Sequence, residues 1–270
     1  MREVAFGQYY PSKSFVHRLD PRIKILFLIG YIVVVFLANN FYALGALAFA
    51  FALVTAFSGV PLKSLFRSVK GILFLLLFTA VLNLFFYTGK TPVWEGSFLT
   101  WEAIWFTLFL AVRLCLLALI SSLLTLTTTP VALTDGIESL LTPLKWIRFP
   151  VHELALIMSI ALRFIPILTD ETGRIMNAQK ARGADFETGN LFKRVKAIVP
   201  ILIPLLISAF RRADELGDAM DARWYSGSKV RTKYKKLSFG WRDLLAFLTL
   251  AVCIAGVILL RVYLPPVIGP

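Results

Sequence analysis

Cysteine and histidine are scarce in this chain of 270 residues, which contains two of each. Cys115 and Cys253 lie inside apolar stretches, and neither has a histidine or a carboxylate at the spacing of metal ligands. His17 and His152 are equally isolated. Metal sites and acid–base or nucleophilic catalysis need such side chains in groups, so these absences argue against a metalloenzyme and a hydrolase. We interpret the cysteines as packing residues and expect no cofactor.

A complete phosphate-binding loop is also lacking. Gly89-Lys90-Thr91 imitates the last residues of such a loop, but the first glycine that the motif requires would fall at Leu84. We therefore expect that the chain does not bind ATP by this route and is not itself an enzyme.

Acidic residues are few, with 16 Asp and Glu against 29 Lys and Arg, which leaves a formal charge of +13. Such an excess indicates either nucleic acid or the cytoplasmic face of a membrane. A content of 58% hydrophobic residues excludes a water-soluble domain. The basic residues precede or separate the apolar stretches, at Arg2–Lys24, Lys63–Lys70 and Lys229–Arg242. By the positive-inside rule, this pattern predicts a cytoplasmic N-terminus and an external C-terminus and argues against a nucleic-acid partner.

Long apolar runs are abundant, and a run of about 20 residues spans a bilayer. We predict five transmembrane helices in the plasma membrane, with no cleavable signal before them: Ile23–Ala38, Phe41–Phe57, Ile72–Tyr87, Ile104–Leu126 and Leu244–Leu264. The basic run Lys229–Lys236 before the last helix is typical of an anchor to anionic lipids.

Two further apolar runs, Leu154–Leu168 and Ile198–Phe210, are shorter and contain proline. If both crossed the bilayer, the basic residues between them would lie outside and reverse the charge rule. We therefore place both on the cytoplasmic side, as parts of long amphipathic helices. Proline and glycine signals predict these helices from Pro150 to Arg182 and from Leu191 to Arg223.

The predicted architecture is thus an all-α polytopic membrane protein with long cytoplasmic helices. Its segments are a cytoplasmic N-terminal segment (1–22), transmembrane helices 1–4 (23–126), a cytoplasmic helical region (127–240), and transmembrane helix 5 with an external C-terminus (241–270).

A repeat marks the ends of the two long helices. Ala181-Arg182-Gly183 and Ala222-Arg223-Trp224 are 41 residues apart, and each is preceded by an alanine at the same spacing, Ala178 and Ala219. Arginine near a helix C-terminus is favourable for the helix dipole, which is the simpler explanation. The repetition and the small neighbours favour a second explanation, in which two exposed guanidinium groups dock two similar partners and pair with their carboxylates.

Arg113 lies in the middle of the fourth predicted span. Because a guanidinium in lipid costs roughly 3 kcal/mol, we expect Arg113 to face protein or water. It could line a substrate path, or it could pair with the carbonyls of a neighbouring helix or with Glu138 or Glu153.

The residues resemble a known family over nearly the whole chain: the transmembrane T component, EcfT, of energy-coupling factor transporters. Three stretches carry the resemblance, one before the first span and one in each long helix: Ser14, His17–Arg22 and Lys24; Leu162–Pro166, Glu171, Arg174, Ala178-Gln179 and Ala181–Gly183; Pro200, Pro204-Leu205, Arg212, Ala219-Met220 and Ala222-Arg223. The family pattern usually ends its second motif in glycine, where this chain has Trp224.

The resemblance implies a scaffold that couples two homologous cytosolic ABC ATPase subunits to a membrane S component, which captures a vitamin or metal ion. The two tripeptides, Ala181–Gly183 and Ala222–Trp224, would bind the ATPases. The resemblance also implies a surface that faces the S component, composed of Leu162, Phe164, Pro166, Pro200, Pro204 and Leu205. The alternative is a self-contained secondary transporter with Arg113 on its path; the chain shows no inverted repeat in its favour.

Overall fold

The computed structural model describes residues 9–12, 14–87, 91, 100–147, 149–184, 186, 191–225 and 239–263. These residues form α-helices and short 3₁₀ turns, and no strand occurs among them. The helices are α1 (Pro21–Leu37), α2 (Phe41–Ser58), α3 (Leu62–Lys70), α4 (Leu73–Phe86), α5 (Trp101–Thr127), α6 (Pro130–Leu140), α7 (Val151–Ala181), α8 (Leu191–Asp221) and α9 (Trp241–Tyr263), with 3₁₀ turns at Val16–Arg18 and Thr142–Ile147. The predicted all-α polytopic membrane fold is confirmed.

Four of the described helices are long and apolar enough to cross a membrane: α2, α5, α7 and α9. Three of them coincide with predicted spans. The other two predicted spans correspond to shorter helices, since α1 has 17 residues and α4 has 14. At 1.5 Å per residue α4 is about 21 Å long, less than the roughly 30 Å of hydrocarbon in a bilayer. The fourth candidate, α7, is a helix that the sequence analysis placed on the cytoplasmic side.

The segment between the second and third predicted spans is a helix rather than a loop. In α3, Leu65 and Val69 are buried whereas Lys63, Arg67 and Lys70 are exposed. Two residues separate this short amphipathic helix from Gly59, the C-cap of α2, which has the left-handed φ of 67° that glycine adopts most easily.

Polar side chains cap the helices of the membrane-spanning part. The side chains of Asp20, Asn40, Thr100 and Thr129 each accept a hydrogen bond from a backbone N–H in the first turn of the helix that follows. These are the residue types that satisfy the orphan donors of a helix N-terminus. Asn40 also donates to the carbonyl of Leu260 at 2.9 Å, so one side chain both begins α2 and holds α9 beside it.

The chain divides into two compact units, residues 1–151 with 237–270, and residues 152–236. The first unit has one apolar core, built from α1, α2, α5 and α9, with Tyr31, Leu44, Leu47 and Phe109 almost completely buried. The hydroxyl of Tyr31 donates to the carbonyl of Leu47 at 2.9 Å, which satisfies it inside the core. Helix α6 lies against α1 in this unit. The second unit, residues 152–236, is therefore shorter than the cytoplasmic segment 127–240 that the sequence predicts.

A buried ammonium group joins three parts of the first unit. Lys24 Nζ donates to the carbonyl of Thr127 at 2.9 Å, to Thr128 Oγ1 at 3.3 Å and to the carbonyl of His17 at 3.4 Å. Two buried carboxylates, Asp20 and Asp243, lie near it. Asp243 also accepts the backbone N–H of Asp20 at 3.0 Å. The beginning of α1, the end of α5 and the beginning of α9 are thereby tied together.

Candidate functional site

The second unit contains the two helices that carry the repeated tripeptides. Helices α7 and α8 each have 31 residues, which corresponds to about 46 Å. Prolines lie inside both, Pro166 in α7 and Pro200 and Pro204 in α8. A proline inside a helix removes a backbone hydrogen bond and bends the helix. Both helices nevertheless continue to the tripeptides.

Helix α7 ends in a Schellman motif at the first tripeptide. The N–H of Gly183 donates to the carbonyl of Lys180 at 3.0 Å, and the N–H of Ala184 donates to the carbonyl of Gln179 at 3.0 Å. Gly183 has φ of 87°, the left-handed conformation that this motif requires at the residue after the cap. Arg182 is therefore the capping residue itself, one position beyond the last helical residue.

Helix α8 ends in the same motif at the second tripeptide. The N–H of Trp224 donates to the carbonyl of Asp221 at 2.9 Å, and the N–H of Tyr225 donates to the carbonyl of Met220 at 3.0 Å. The two hydrogen bonds match those of α7 residue for residue along the 41-residue repeat. Arg223 consequently occupies the same capping position as Arg182. The sequence prediction that two helices end in matched arginines is borne out in the backbone geometry.

Trp224 is the exception in this match. It has φ of 56° and is the only described non-glycine residue with a positive φ. An L-residue in this conformation brings its Cβ close to the following carbonyl, which costs roughly 1–2 kcal/mol. Its indole is 92% exposed. Although glycine is missing at this position, the helix end keeps the same hydrogen bonds and carries strain instead.

Both tips are accessible. The side chains of Arg182 and Arg223 are exposed, and so are the small residues around them, Ala181 and Ala222. Exposed carboxylates lie along α8 in the turns before the second tip, at Asp214, Asp218 and Asp221. The acidic residues noted near the first tip, Asp185 and Glu187, lie outside the described residues, as do the predicted lipid anchor Lys229–Lys236 and Gly89-Lys90.

An ion pair joins the two long helices at equivalent positions of the repeat. Arg212 NH2 lies 3.5 Å from Glu171 Oε2. Glu171 precedes Arg182 by the same number of residues as Arg212 precedes Arg223, so the two tips project equally far, about 16 Å, beyond the pair. Both residues belong to the motifs that carry the family resemblance, but their pairing was not predicted. Their opposite charges at equivalent repeat positions are the signal that could have predicted the contact.

A second candidate surface lies on α8. One face bears the buried Ile201 and the half-buried Leu205 and Arg212. Apolar side chains elsewhere on the helix are exposed: Ile198, Val199, Leu202, Ile203, Leu206, Ile207 and Phe210. Contiguous exposed apolar surface of this kind marks contact with lipid or with a partner.

The six residues predicted to face the S component differ in how far their side chains are exposed. Pro166, Pro200 and Pro204 are exposed, whereas Leu162 and Phe164 are half-buried, as is Leu205.

Arg113 finds its partner in a carbonyl. Its guanidinium donates to the carbonyl of Ala38, the C-cap residue after α1, and lies 4.6 Å from the centroid of the Phe109 ring. Of the alternatives left open for Arg113, a carbonyl of a neighbouring helix is the one that the structure shows. It gives Arg113 a role in the packing of α1 against α5, where the alternative hypothesis needed it on a substrate path.

The scarce histidines and cysteines do not form a metal site in the part of the chain that the structure describes. The Nδ1 atom of His17 lies 2.7 Å from Ser14 Oγ, and its Nε2 atom lies 2.8 Å from the carbonyl oxygen of Tyr10. Both ring nitrogens are thus engaged locally. Burial lowers the pKa of His17.

Comparison with known proteins gives consistent results over the whole length. A family model described as CbiQ, cobalt transport protein, matches residues 12–234. A protein of Ruminiclostridium cellulolyticum is 47% identical over 263 residues, which cover 97% of this chain and 98% of the relative. A protein of Acidaminococcus fermentans is 47% identical over 267 residues, 98% and 99% of the two chains, and one of Bacillus subtilis is 45% identical over 269 residues, 97% and 99%. Each of the three is named energy-coupling factor transporter transmembrane protein EcfT.

Proposed function

This chain belongs to the CbiQ family as the transmembrane component of an energy-coupling factor transporter, and on that premise we propose that it transmits ATP-driven movement to a substrate-binding membrane partner. Two homologous cytosolic ABC ATPase subunits would hydrolyse the ATP, and a membrane S component would capture a vitamin or metal ion. In this proposal the chain is a scaffold with no catalytic residue of its own.

The observation that carries the proposal is the matched pair of helix ends. Two arginines at identical capping positions present two guanidinium groups of the same geometry, and two homologous subunits need two such contacts. Each arginine would enter a groove on one ATPase and form bidentate hydrogen bonds with carboxylates there. The tripeptides Ala181–Gly183 and Ala222–Trp224 are accordingly the proposed ATPase-binding sites, with the small alanines allowing close approach.

The long helices connect these contacts to the membrane. When ATP binding draws the two ATPases together, the tips of α7 and α8 would move with them, and the helices would shift as rigid bodies. The exposed apolar side chains of Ile198–Phe210, with those of Leu154 and Ile157 on α7, are the proposed surface for the S component. Prolines inside both helices suit a surface that must change its angle.

The charge distribution supports a cytoplasmic N-terminus and an external C-terminus in the cell membrane. In that orientation the tips of α7 and α8 lie in the cytosol, where ATP is available. This orientation is tested by modification of single cysteines placed at Ala181 and near the C-terminus with a membrane-impermeant reagent in whole cells. Labelling of Ala181→Cys without permeabilisation would contradict it.

The central test replaces each tip arginine with glutamate. We expect Arg182→Glu and Arg223→Glu each to reduce co-purification of an ATPase subunit, and the double variant to abolish both co-purification and uptake of the vitamin or metal ion. Arg211→Glu is the matched control, because Arg211 is an exposed arginine of α8 that lies away from the tip. Normal complex formation and uptake by the double variant would refute the proposed function.

A further inference from the structure

We propose that Trp224 makes the second helix end selective for one of the two ATPase subunits, so that the two tips are not interchangeable. This inference rests on the proposed function and concerns the same site. It assigns to Trp224 a pocket on the partner that accepts an indole, next to the carboxylates that bind Arg223. The other ATPase subunit would meet Gly183 at the corresponding position and need no such pocket.

Tryptophan is an unfavourable residue at position 224 for the stability of the chain itself. The Schellman motif requires a left-handed residue, and glycine adopts that conformation without strain. Trp224 adopts it with φ of 56° while exposing 92% of its surface. The strained backbone is therefore not compensated by burial of the ring within the described structure. A residue held in strain is a reason to look for function at that point.

Steric crowding does not explain why α7 ends in Gly183 and α8 ends in Trp224. A Cβ built on Gly183 would meet no atom within 4 Å, so the chain has room for a side chain there. A side chain at position 183 would be strained by the φ of 87° but would clash with nothing inside the chain. Glycine at one end and tryptophan at the other are a difference between the surfaces that the two ends present.

The charged residues before Trp224 indicate the chemistry of the partner. Exposed carboxylates at Asp214, Asp218 and Asp221 lie in the last turns before Trp224. Such a cluster disfavours contact with the anionic headgroups of a membrane. It is complementary to a protein surface with a basic rim. Tryptophan and arginine are the residues most enriched among those that dominate protein interfaces, and here they are adjacent.

The charges also differ between the two ends. Position by position along the repeat, Asn177 and Lys180 of α7 correspond to Asp218 and Asp221 of α8. The last helical turn before Arg182 therefore carries a cation, whereas the one before Arg223 carries two carboxylates. A subunit complementary to one tip is less complementary to the other, since like charges that face each other across an interface oppose binding.

The experiment measures binding of each ATPase subunit separately to the full chain in nanodiscs. We expect Trp224→Gly to weaken binding of one subunit by at least about 30-fold, the effect of a dominant interface residue, and to leave the other within about twofold. We expect the same variant to raise the melting temperature of the chain alone, because glycine relieves the strain at φ of 56°. A merely structural role of Trp224 would not give these two opposite effects. Trp146→Gly is the matched control for removal of an exposed indole, since Trp146 is 97% exposed in the first unit.

The outcomes separate this inference from the proposed function. If Trp224→Gly binds both subunits normally while Arg223→Glu loses one, the selectivity of Trp224 is refuted and the docking role of the tips stands. If neither arginine variant affects binding, the proposed function fails. A loss in Trp224→Gly that appears only in nanodiscs of anionic lipid would assign the indole to the membrane and also overturn the inference.

Discussion

Reversal of the ion pair between Glu171 and Arg212 tests whether the two long helices are held together at these equivalent positions, 11 residues before the tip arginines. The charged groups lie 3.5 Å apart, and their side chains are 28% and 34% exposed. A pair so accessible to water contributes about 0.2–1 kcal/mol. We therefore expect a coupling energy of about 0.5–1 kcal/mol in a double-mutant cycle, which changes an equilibrium constant by a factor of about two to five.

The assay is the distance between spin labels at Ala178→Cys and Ala219→Cys in a background without the two native cysteines. The labelled positions lie seven residues, about 10 Å, beyond the ion pair, so a small rotation there is amplified at the labels. Glu171→Arg places a second cation beside Arg212 and should broaden the distance distribution. The double variant Glu171→Arg with Arg212→Glu should restore it.

Glu215→Arg is the control, because Glu215 is an exposed carboxylate of α8 close to Arg212. We expect the control to retain the wild-type distribution. An unchanged distribution in Glu171→Arg, or a double variant that remains as broad as the single one, would show that the ion pair does not hold the helices. The transmission of movement between α7 and α8 would then need another contact.

Three further predictions concern stability. Gly183→Val should destabilise the end of α7 by roughly 1–2 kcal/mol because its φ of 87° is left-handed, measured as faster amide exchange at the helix end; Gly173→Ala, inside the same helix, should stabilise it instead. Lys24→Met should lower stability by about 3 kcal/mol, because it removes the buried cation that donates to the carbonyl of Thr127 and lies near the carboxylates of Asp20 and Asp243; an unchanged melting temperature would contradict this. The pKa of His17 is lowered by burial, so the folded protein binds this proton more weakly than the unfolded chain and loses stability as the pH falls below about 6.5. The loss of melting temperature between pH 7.5 and 5 should be smaller in His17→Gln, and an equal loss would remove this explanation.

Local signals were sufficient for the ends of the long helices. Glycine at position 183 and the pair Ser226-Gly227 predicted where α7 and α8 stop, and the helices end within two residues of the predicted positions. The conformation of Trp224 was not predictable from its own residue type, because tryptophan rarely adopts a positive φ. The positive φ of Trp224 can be predicted only if the second tripeptide is aligned with the first and the same hydrogen bonds are assumed at both helix ends.

Contacts between distant parts of the chain could not be predicted from the sequence. The ammonium of Lys24 was counted as one of the basic residues before the first span, whereas it is buried and bonded to Thr127, 103 residues away. A charge count cannot distinguish a cation that faces lipid headgroups from one that satisfies the carbonyl end of a helix. For Arg113 the sequence did supply the argument, since an arginine inside a span needs a partner nearby.

The hydrogen bond from Asp20 to Asp243 spans 223 residues, and this has a consequence for biogenesis. While the ribosome is still producing the middle of the polypeptide, the first helix has already been inserted without its final neighbour. Its buried carboxylate and ammonium stay incompletely paired until the last helix emerges. Nascent forms that stop short of Trp241 are therefore expected to be substrates for membrane proteases, and maturation of the whole subunit is decided at its carboxyl end.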